Sequence, residues 1–269
     1  MRYFLVIATL LALGGCITGQ QAASIKDVVS GLYAGGGSAQ NTAVSNSLVP
    51  STEEIAAGLK EALKVGSKDA ASALSASGGY YKNDAYKILL PPDAEKIVTN
   101  ISKIPGGQRM LDDVVLRINS SAESAAKTAA PIFVDAISDM SITDAVGILK
   151  GSDTSATEYL KSTTTTDLKD AYRPYMQEAL AEPLVAGISA DKSWNTLKTS
   201  YNKVAGSFVG SFAGMETVES DLDEYVLDQA IQGMFGEVAV QEKEIRANPM
   251  AYTSDIIQRV FGYAKAERN

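Results

Sequence analysis

Residues 109–140 have the sequence RMLDDVVLRINSSAESAAKTAAPIFVDAISDM, and this stretch decides the fold class. Its apolar residues recur every three or four positions, so they fall within roughly a third of a helical circumference. They are Leu111, Val114, Val115, Ile118, Ala122, Ala125, Ala126 and Ala129. This spacing predicts a long amphipathic helix, because a strand would alternate with a period of two. Pro131 is expected to end or kink the helix near Ala130.

Helix-capping patterns recur on both sides of this stretch. Ser51-Thr52-Glu53-Glu54 fits a capping box, in which the serine and the second glutamate satisfy each other's backbone N–H groups. Further helix starts are predicted at Ser155 and Ser220, and Asn248-Pro249 is expected to open the last helix. Residues 51–269 are therefore predicted to form one all-α, multi-helix, bundle-like domain.

Residues 222–240 are apolar on nearly every side, which predicts the buried central helix of that domain. Gly233 and Gly236 lie inside it, where each glycine costs about 1 kcal/mol relative to alanine. We expect another helix to pack closely against these two positions.

Residues 78–92, GGYYKNDAYKILLPP, depart from the helical pattern. Tyrosine and isoleucine favour extended backbone, and Pro91 moves Leu90 away from the helical region. A long loop or a short two-stranded ribbon is predicted there. Tyr80, Tyr81 and Tyr86 are candidates for binding a ligand or partner, because tyrosine offers a large contact area at low entropic cost. They could equally cover the helical core.

The amino terminus resembles a lipoprotein signal peptide. Arg2 precedes an apolar run of about eleven residues, far short of the roughly 20 that span a bilayer. Leu13-Gly14-Gly15-Cys16 follows and resembles a lipobox, with Cys16 as the site of diacylglycerol and palmitate attachment. Residues 1–15 are thus predicted to be removed, leaving the chain outside the cytoplasm and held on a membrane through Cys16. Ile17 favours the outer membrane of a host that has two.

Residues 16–50 are predicted to be a flexible tether. Gly, Ser, Asn, Gln and Ala dominate from residue 31 onward and bury too little apolar surface to offset the entropy of ordering. A short helix is predicted to interrupt the tether at residues 24–32.

Composition excludes several classes of function. The formal net charge of -8 provides no basic face for nucleic acid. The chain has no histidine, and its single cysteine is the predicted lipid site, so ordinary zinc, copper and haem sites and histidine-dependent hydrolysis are not expected. No cofactor, metal or catalytic residue is therefore predicted.

Several polar residues on the predicted helices are weighed as candidates. Asn119 and Glu123 lie at the edge of an apolar face and could point into a groove or bind a neighbouring helix end. Asp135 and Asp139 are interpreted as a solvated face. Gln229 and Glu237 are expected either to form an interhelical hydrogen bond, for example to Arg173, or to lie near the solvent edge. Residues 153–155 are expected to cap a helix, with an anion or carbohydrate site as the alternative.

Five blocks of sequence carry a resemblance to a known family. They are EIAAGLKEALKVGSKDAASAL, GGYYKNDAYKILLPP, NSSAESAAKTAAPIFVDAISDMSITDAVGILKGSDTSATEYL, DLDEYVLDQAIQGMFGEVA and IRANPMAYTSDIIQRVFG. In this order they resemble the bacterial family called domain of unknown function four-one-nine-seven, over residues 51–262. The resemblance implies a secreted or lipid-anchored helical protein. Ser120, Ser121 and Tyr252 depart from the family pattern.

Three functions remain open. The first is a non-enzymatic envelope lipoprotein that binds another envelope protein or supports the envelope, and it predicts an exposed apolar patch. The second is a helical carrier of a lipid or other apolar small molecule, which predicts an apolar cavity. The third is a carboxylate-based enzyme, which predicts acids converging in a cleft.

Overall fold

The structure, a computed structural model, describes residues 49–92, 95, 107–183, 189–212, 214, 217 and 221–268. The predicted signal peptide, Cys16, the short helix at 24–32 and nearly all of the tether lie outside these residues. Within them, 79% of residues are helical, in nine helices without a strand. The predicted all-α fold class is therefore confirmed. None of the described helices combines the length and apolarity needed to cross a membrane.

The helices are numbered α1 to α9 in chain order. They are α1 Thr52–Ser75, α2 Gly107–Ala126, α3 Ala129–Asp139, α4 Ile142–Lys150, α5 Ser155–Ala181, α6 Ala190–Ala205, α7 Phe208–Phe212, α8 Leu222–Ala247 and α9 Asp255–Arg268. A 3-10 turn, Pro249–Ala251, separates α8 from α9.

The core lies where α8 packs against both α5 and α1. Helices α2 and α3 also pack on α5, and α3, α4 and α9 pack on α1. The side chains at the centre are fully buried and almost all apolar: Leu59, Leu74, Ile118, Phe133, Ile137, Leu160, Leu168, Met176 and Leu180. Each such aliphatic or aromatic side chain stabilises the fold by about 1.5–3 kcal/mol relative to its exposed state.

Helix α1 begins with the predicted capping box. The Glu54 N–H donates to Ser51 Oγ at 3.2 Å, and the Ser51 N–H donates to Glu54 Oε2 at 2.9 Å. Two backbone donors at the helix start are thereby satisfied, as the sequence predicted.

Pro131 breaks the helix earlier than predicted. Helix α2 ends at Ala126, and Pro131 lies in the first turn of α3. A proline ring clashes with the carbonyl four residues before it, which here is Lys127, and it cannot donate to that carbonyl. The chain therefore leaves the helix at Lys127, and the Thr128 N–H closes the end by donating to the Ala125 carbonyl at 2.9 Å.

The remaining predicted helix starts differ in detail. Asn248-Pro249 opens the 3-10 turn Pro249–Ala251, and the last helix begins only at Asp255. Ser155 is the first residue of α5 and Thr154 its N-cap, without a side-chain capping bond. Ser220 lies outside the described residues, and Asp221 is the N-cap of α8.

Helix α8 is the buried helix predicted from residues 222–240, but it extends to Ala247 and keeps a solvent face that includes Gln232 and Val240. The prediction that another helix packs on Gly233 and Gly236 was wrong. A Cβ atom at Gly233 would lie 2.8 Å from Tyr80 Cε1, and one at Gly236 would lie 2.8 Å from Tyr86 Cε1. Two flat tyrosine rings need the space that the glycines leave.

Candidate functional site

Residues 78–92 form a loop across α8, which we call the tyrosine loop. Several of its backbone N–H groups donate within local turns. The Lys82 N–H donates to the Gly78 carbonyl at 3.0 Å, and the Lys87 N–H donates to the Asn83 carbonyl at 2.8 Å. Gly78 has φ of 88°, the left-handed region that glycine adopts without strain. No strand pairs with these described residues, so of the two predicted forms the loop is the correct one.

Asn119 and Glu123, one helical turn apart on α2, hold the tyrosine loop in place. Glu123 Oε1 accepts from the N–H groups of Tyr80 at 3.3 Å and Tyr81 at 3.1 Å. Asn119 accepts from the Ile88 N–H and donates to the Ile88 carbonyl, both at 2.8 Å. Both side chains are buried. The sequence candidates thus come together, and their polar atoms bond to backbone groups of the chain itself.

The three tyrosines of the loop differ in burial: one is fully buried and two are half-buried. Tyr80 is fully buried, and its hydroxyl donates to the Ala230 carbonyl at 2.8 Å. Burial raises the pKa of Tyr80 far above its usual range. Burial, with the Glu237 carboxylate beside it, also raises the pKa of Tyr86 to about 12. Both tyrosines therefore stay neutral and pack the loop on α8.

Tyr81, like Tyr86, is partly exposed to solvent. The Lys87 ammonium lies 4.5 Å from the centroid of its ring, a cation–π contact. A ligand or partner at this loop would meet Tyr81, Lys82 and Lys87, whereas Tyr80 is out of reach. The binding role of the tyrosine loop stays a prediction.

The main polar network of the core is formed by Glu242 and Arg246 on α8, which the sequence analysis missed. Glu242 accepts from the N–H groups of Ala156 at 3.0 Å and Thr157 at 2.8 Å, at the start of α5. Arg246 donates to Glu242 at 2.8 Å and to the carbonyls of Ile148 and Leu149 at the end of α4.

This network explains how α5 begins without a capping side chain of its own. The carboxylate of Glu242 takes the place that an anion would occupy at the helix N-terminus, where backbone N–H groups and the helix dipole favour negative charge. The spacing of residues in the sequence could have indicated this network. Glu242 follows Met234 and Val238 at intervals of four residues, on the apolar face of the helix, and Arg246 follows four residues later.

Asp135 and Asp139 lie on the exposed face of α3, as predicted, but that face borders a groove. Asp167 and Asp170 of α5 line the opposite wall, and the groove has a volume of about 520 Å³. Tyr159 of α5 also lines the groove, and burial and the charges of Asp144 and Asp139 raise its pKa. In the part of the chain that the structure describes, no group of three or more potential ligands is arranged to hold a metal ion.

Helix α7 presents the most exposed large apolar side chains of the described residues. Phe208 is 87% exposed and Phe212 is 88% exposed. Four positions apart on a helix, they lie on the same face. Residues 204–215 around them carry no charged side chain. The sequence did not indicate these two phenylalanines as a site, because the exposure of a side chain cannot be predicted from a short apolar segment.

Comparison with known proteins adds one finding. The model of the family described as Protein of unknown function (DUF4197) matches residues 49–262. No curated protein and no solved structure matches the chain significantly. The family match spans well over half of the chain and includes the tyrosine loop, its two α2 residues and the Glu242–Arg246 network. It confirms the resemblance that the five sequence blocks carried, and the chain belongs to the DUF4197 family of proteins of unknown function.

Proposed function

We propose that this protein is an exported lipoprotein, anchored to a membrane through Cys16, whose helical body binds another envelope protein without catalysing a reaction. The anchor rests on Leu13-Gly14-Gly15-Cys16 behind a short apolar run. The binding role rests on one observation, the pair of phenylalanines exposed on α7.

Two phenylalanines with nearly their whole side chains in water are costly for a monomer and useful at an interface. Full burial of each would contribute about 1.5–3 kcal/mol. Exposed apolar clusters mark interaction sites, and aromatic side chains are enriched where interfaces form. An uncharged surround favours a partner with an apolar pocket of its own.

The other two functions receive less support. An apolar carrier needs an apolar-lined cavity, whereas the clefts between α3 and α5, between α2 and α5, and between α8 and α9 all have charged side chains in their walls. The cleft between the tyrosine loop and α2 is lined mainly by leucine, proline and valine, but Glu95 and Asp112 also line it. An enzyme needs acids that can exchange protons with a substrate in a cleft that excludes water. Glu123 and Glu242 are occupied by backbone N–H groups, and the four aspartates that line the groove between α3 and α5 are exposed.

The proposal is tested by photocrosslinking in the native host. A photoreactive amino acid replaces Phe212 in one strain and Met250 in a control strain. Met250 is 67% exposed and lies on the 3-10 turn after α8. We expect the probe at 212 to form a crosslink to a protein that the probe at 250 does not form. Phe208→Ser, added to the strain with the probe at 212, should weaken that crosslink.

One further strain separates the role of the anchor from that of the α7 surface. Cys16→Ser should release the protein from the membrane fraction and abolish fatty-acid labelling, while leaving α7 intact. Crosslinks at 212 to phospholipid alone would replace the protein partner with a membrane surface. Equal crosslink patterns at 212 and 250 would remove α7 as a binding site.

A further inference from the structure

A positively charged cleft lies where the carboxyl-terminal part of α8 meets α9. Four cations line it, Lys243 and Arg246 from α8 and Lys265 and Arg268 from α9, together with the single acid Asp153. Its volume is about 190 Å³, far above the roughly 10–15 Å³ that one water requires. The chain as a whole has a net charge of -8, so the positive charge of this cleft is opposite in sign to that of the protein.

Two of the four cations are neutralised by acids of the chain. Arg246 donates to Glu242 at 2.8 Å, and its guanidinium also bonds to carbonyls at the end of α4. Arg268 pairs with Asp153 at 2.9 Å and donates to the Gly151 carbonyl. These arginines have structural roles that explain their presence.

The two lysines have no acidic partner among the described residues. Lys265 donates to the carbonyl of Ala247 at 2.6 Å, which uses one of the three N–H groups of its ammonium. Lys243 is exposed, lines the cleft and has no hydrogen bond or ion pair within the described chain. Lys265 thus caps the carboxyl-terminal end of α8, whereas Lys243 has no such structural role.

Phe261, Ala264 and Ala247 form the apolar part of the cleft wall. The Arg246 guanidinium lies over the Phe261 ring, 5.8 Å from its centroid, and the two alanines add small apolar side chains to the wall. An anion here would meet two ammonium groups beside an apolar wall, where the lower effective dielectric strengthens each interaction.

We propose that this cleft binds a phosphate monoester group, with Lys243 and Lys265 as its two ligands. A phosphate monoester carries close to two negative charges at neutral pH, which matches the two unneutralised ammonium groups. Lysine serves as a point charge for phosphate and imposes no planar geometry. This site is separate from α7 and does not depend on the protein partner proposed above.

The test is isothermal titration calorimetry on the full chain in neutral detergent micelles at about pH 7.5, where phosphate is mainly dianionic. Inorganic phosphate is the free source of the group, and dihexanoyl phosphatidic acid is the lipid source. Dihexanoyl phosphatidylglycerol, a diester with a single charge, is the comparison. We expect the monoester probes to bind and the diester to bind at least about tenfold more weakly.

Lys243→Gln should weaken binding of the monoester probes by about tenfold. The double variant Lys243→Gln, Lys265→Gln should weaken binding further. Lys243 is exposed and makes no described bond, so its variant should keep the wild-type unfolding temperature. Lys127→Gln, an equal loss of charge at the exposed junction of α2 and α3, should change affinity by less than about twofold.

Binding of both monoester probes supports the shared phosphate chemistry. Binding of phosphatidic acid alone assigns the site to a lipid headgroup, and binding of inorganic phosphate alone assigns it to a free phosphate. The proposal would be overturned if neither monoester probe binds, or if the diester binds as tightly as the monoesters. It would also be overturned if Lys243→Gln leaves the affinity for the monoester probes unchanged.

Discussion

At the scale of single residues, two glycines in helix interiors differ in the space that surrounds them. A Cβ atom at Gly233 of α8 would approach the ring of Tyr80 to 2.8 Å. That ring is fully buried and its hydroxyl is bonded to Ala230, so it cannot move aside easily. At Gly262 of α9, no heavy atom lies within 4 Å of the added carbon.

Gly233→Ala should therefore lower the free energy of unfolding by about 1–3 kcal/mol, because overpacking displaces the tyrosine ring. Gly262→Ala should raise it by about 0.5–1 kcal/mol, since alanine loses less backbone entropy in a helix. Urea unfolding of the two variants against the wild type measures both effects. Equal stability of the two variants would contradict the packing of Tyr80 on Gly233.

At the scale of elements, side chains of α2 attach the tyrosine loop to the helices. Glu123 accepts from two backbone N–H groups of the loop, those of Tyr80 and Tyr81. A buried donor that loses its acceptor costs about 1–3 kcal/mol. Glu123, which is distant from the loop in sequence, therefore contributes a large part of this attachment beside Asn119.

Glu123→Ala should lower the free energy of unfolding by about 2–4 kcal/mol, and Glu123→Gln by less, because the amide oxygen still accepts. Hydrogen exchange should become faster at the Tyr80 and Tyr81 amides than at amides in the middle of α8. Ser124→Ala, beside Glu123 on the same helix, is the control and should change stability by less than about 0.5 kcal/mol. Unchanged exchange in the loop of Glu123→Ala would refute the role of Glu123.

At the scale of the whole molecule, the Glu242–Arg246 network joins four helices at one place. Glu242 caps α5, Arg246 bonds the end of α4, both belong to α8, and Arg246 lies on Phe261 of α9. The side chains of the ion pair are only 4% and 6% exposed. Removing one partner leaves the other charge buried, which costs far more than breaking an exposed pair.

Glu242→Leu and Arg246→Leu should each lower the free energy of unfolding by about 3–5 kcal/mol. The double variant should cost less than the sum of the two, by roughly 0.5–3 kcal/mol, because no lone charge remains. The exposed pair Arg117–Glu182, at 2.6 Å, should give a coupling of about 0–1 kcal/mol in the same cycle. Additive costs for Glu242 and Arg246 would show that the two residues act independently.

The local features of this protein can be predicted from its amino-acid sequence. Apolar residues at helical spacing, the Ser51–Glu54 capping box and the Pro131 break are set within a few residues of chain, because helical hydrogen bonds and side-chain caps reach only one turn. The sequence blocks also determined the family. Asn119, Glu123 and Tyr80 were all singled out because each departs from the apolar or helical pattern around it.

The groups that those residues contact follow from the packing of distant segments. Glu123 could have faced a ligand as easily as the backbone of residues 80 and 81, and Gly233 could have faced a helix as easily as a tyrosine ring. Glu242 caps a helix that begins more than eighty residues before it, and Lys243 and Lys265 share a cleft through the packing of α8 on α9. Burial and partners depend on contacts between distant segments, which no local pattern records, so these assignments required the packed chain.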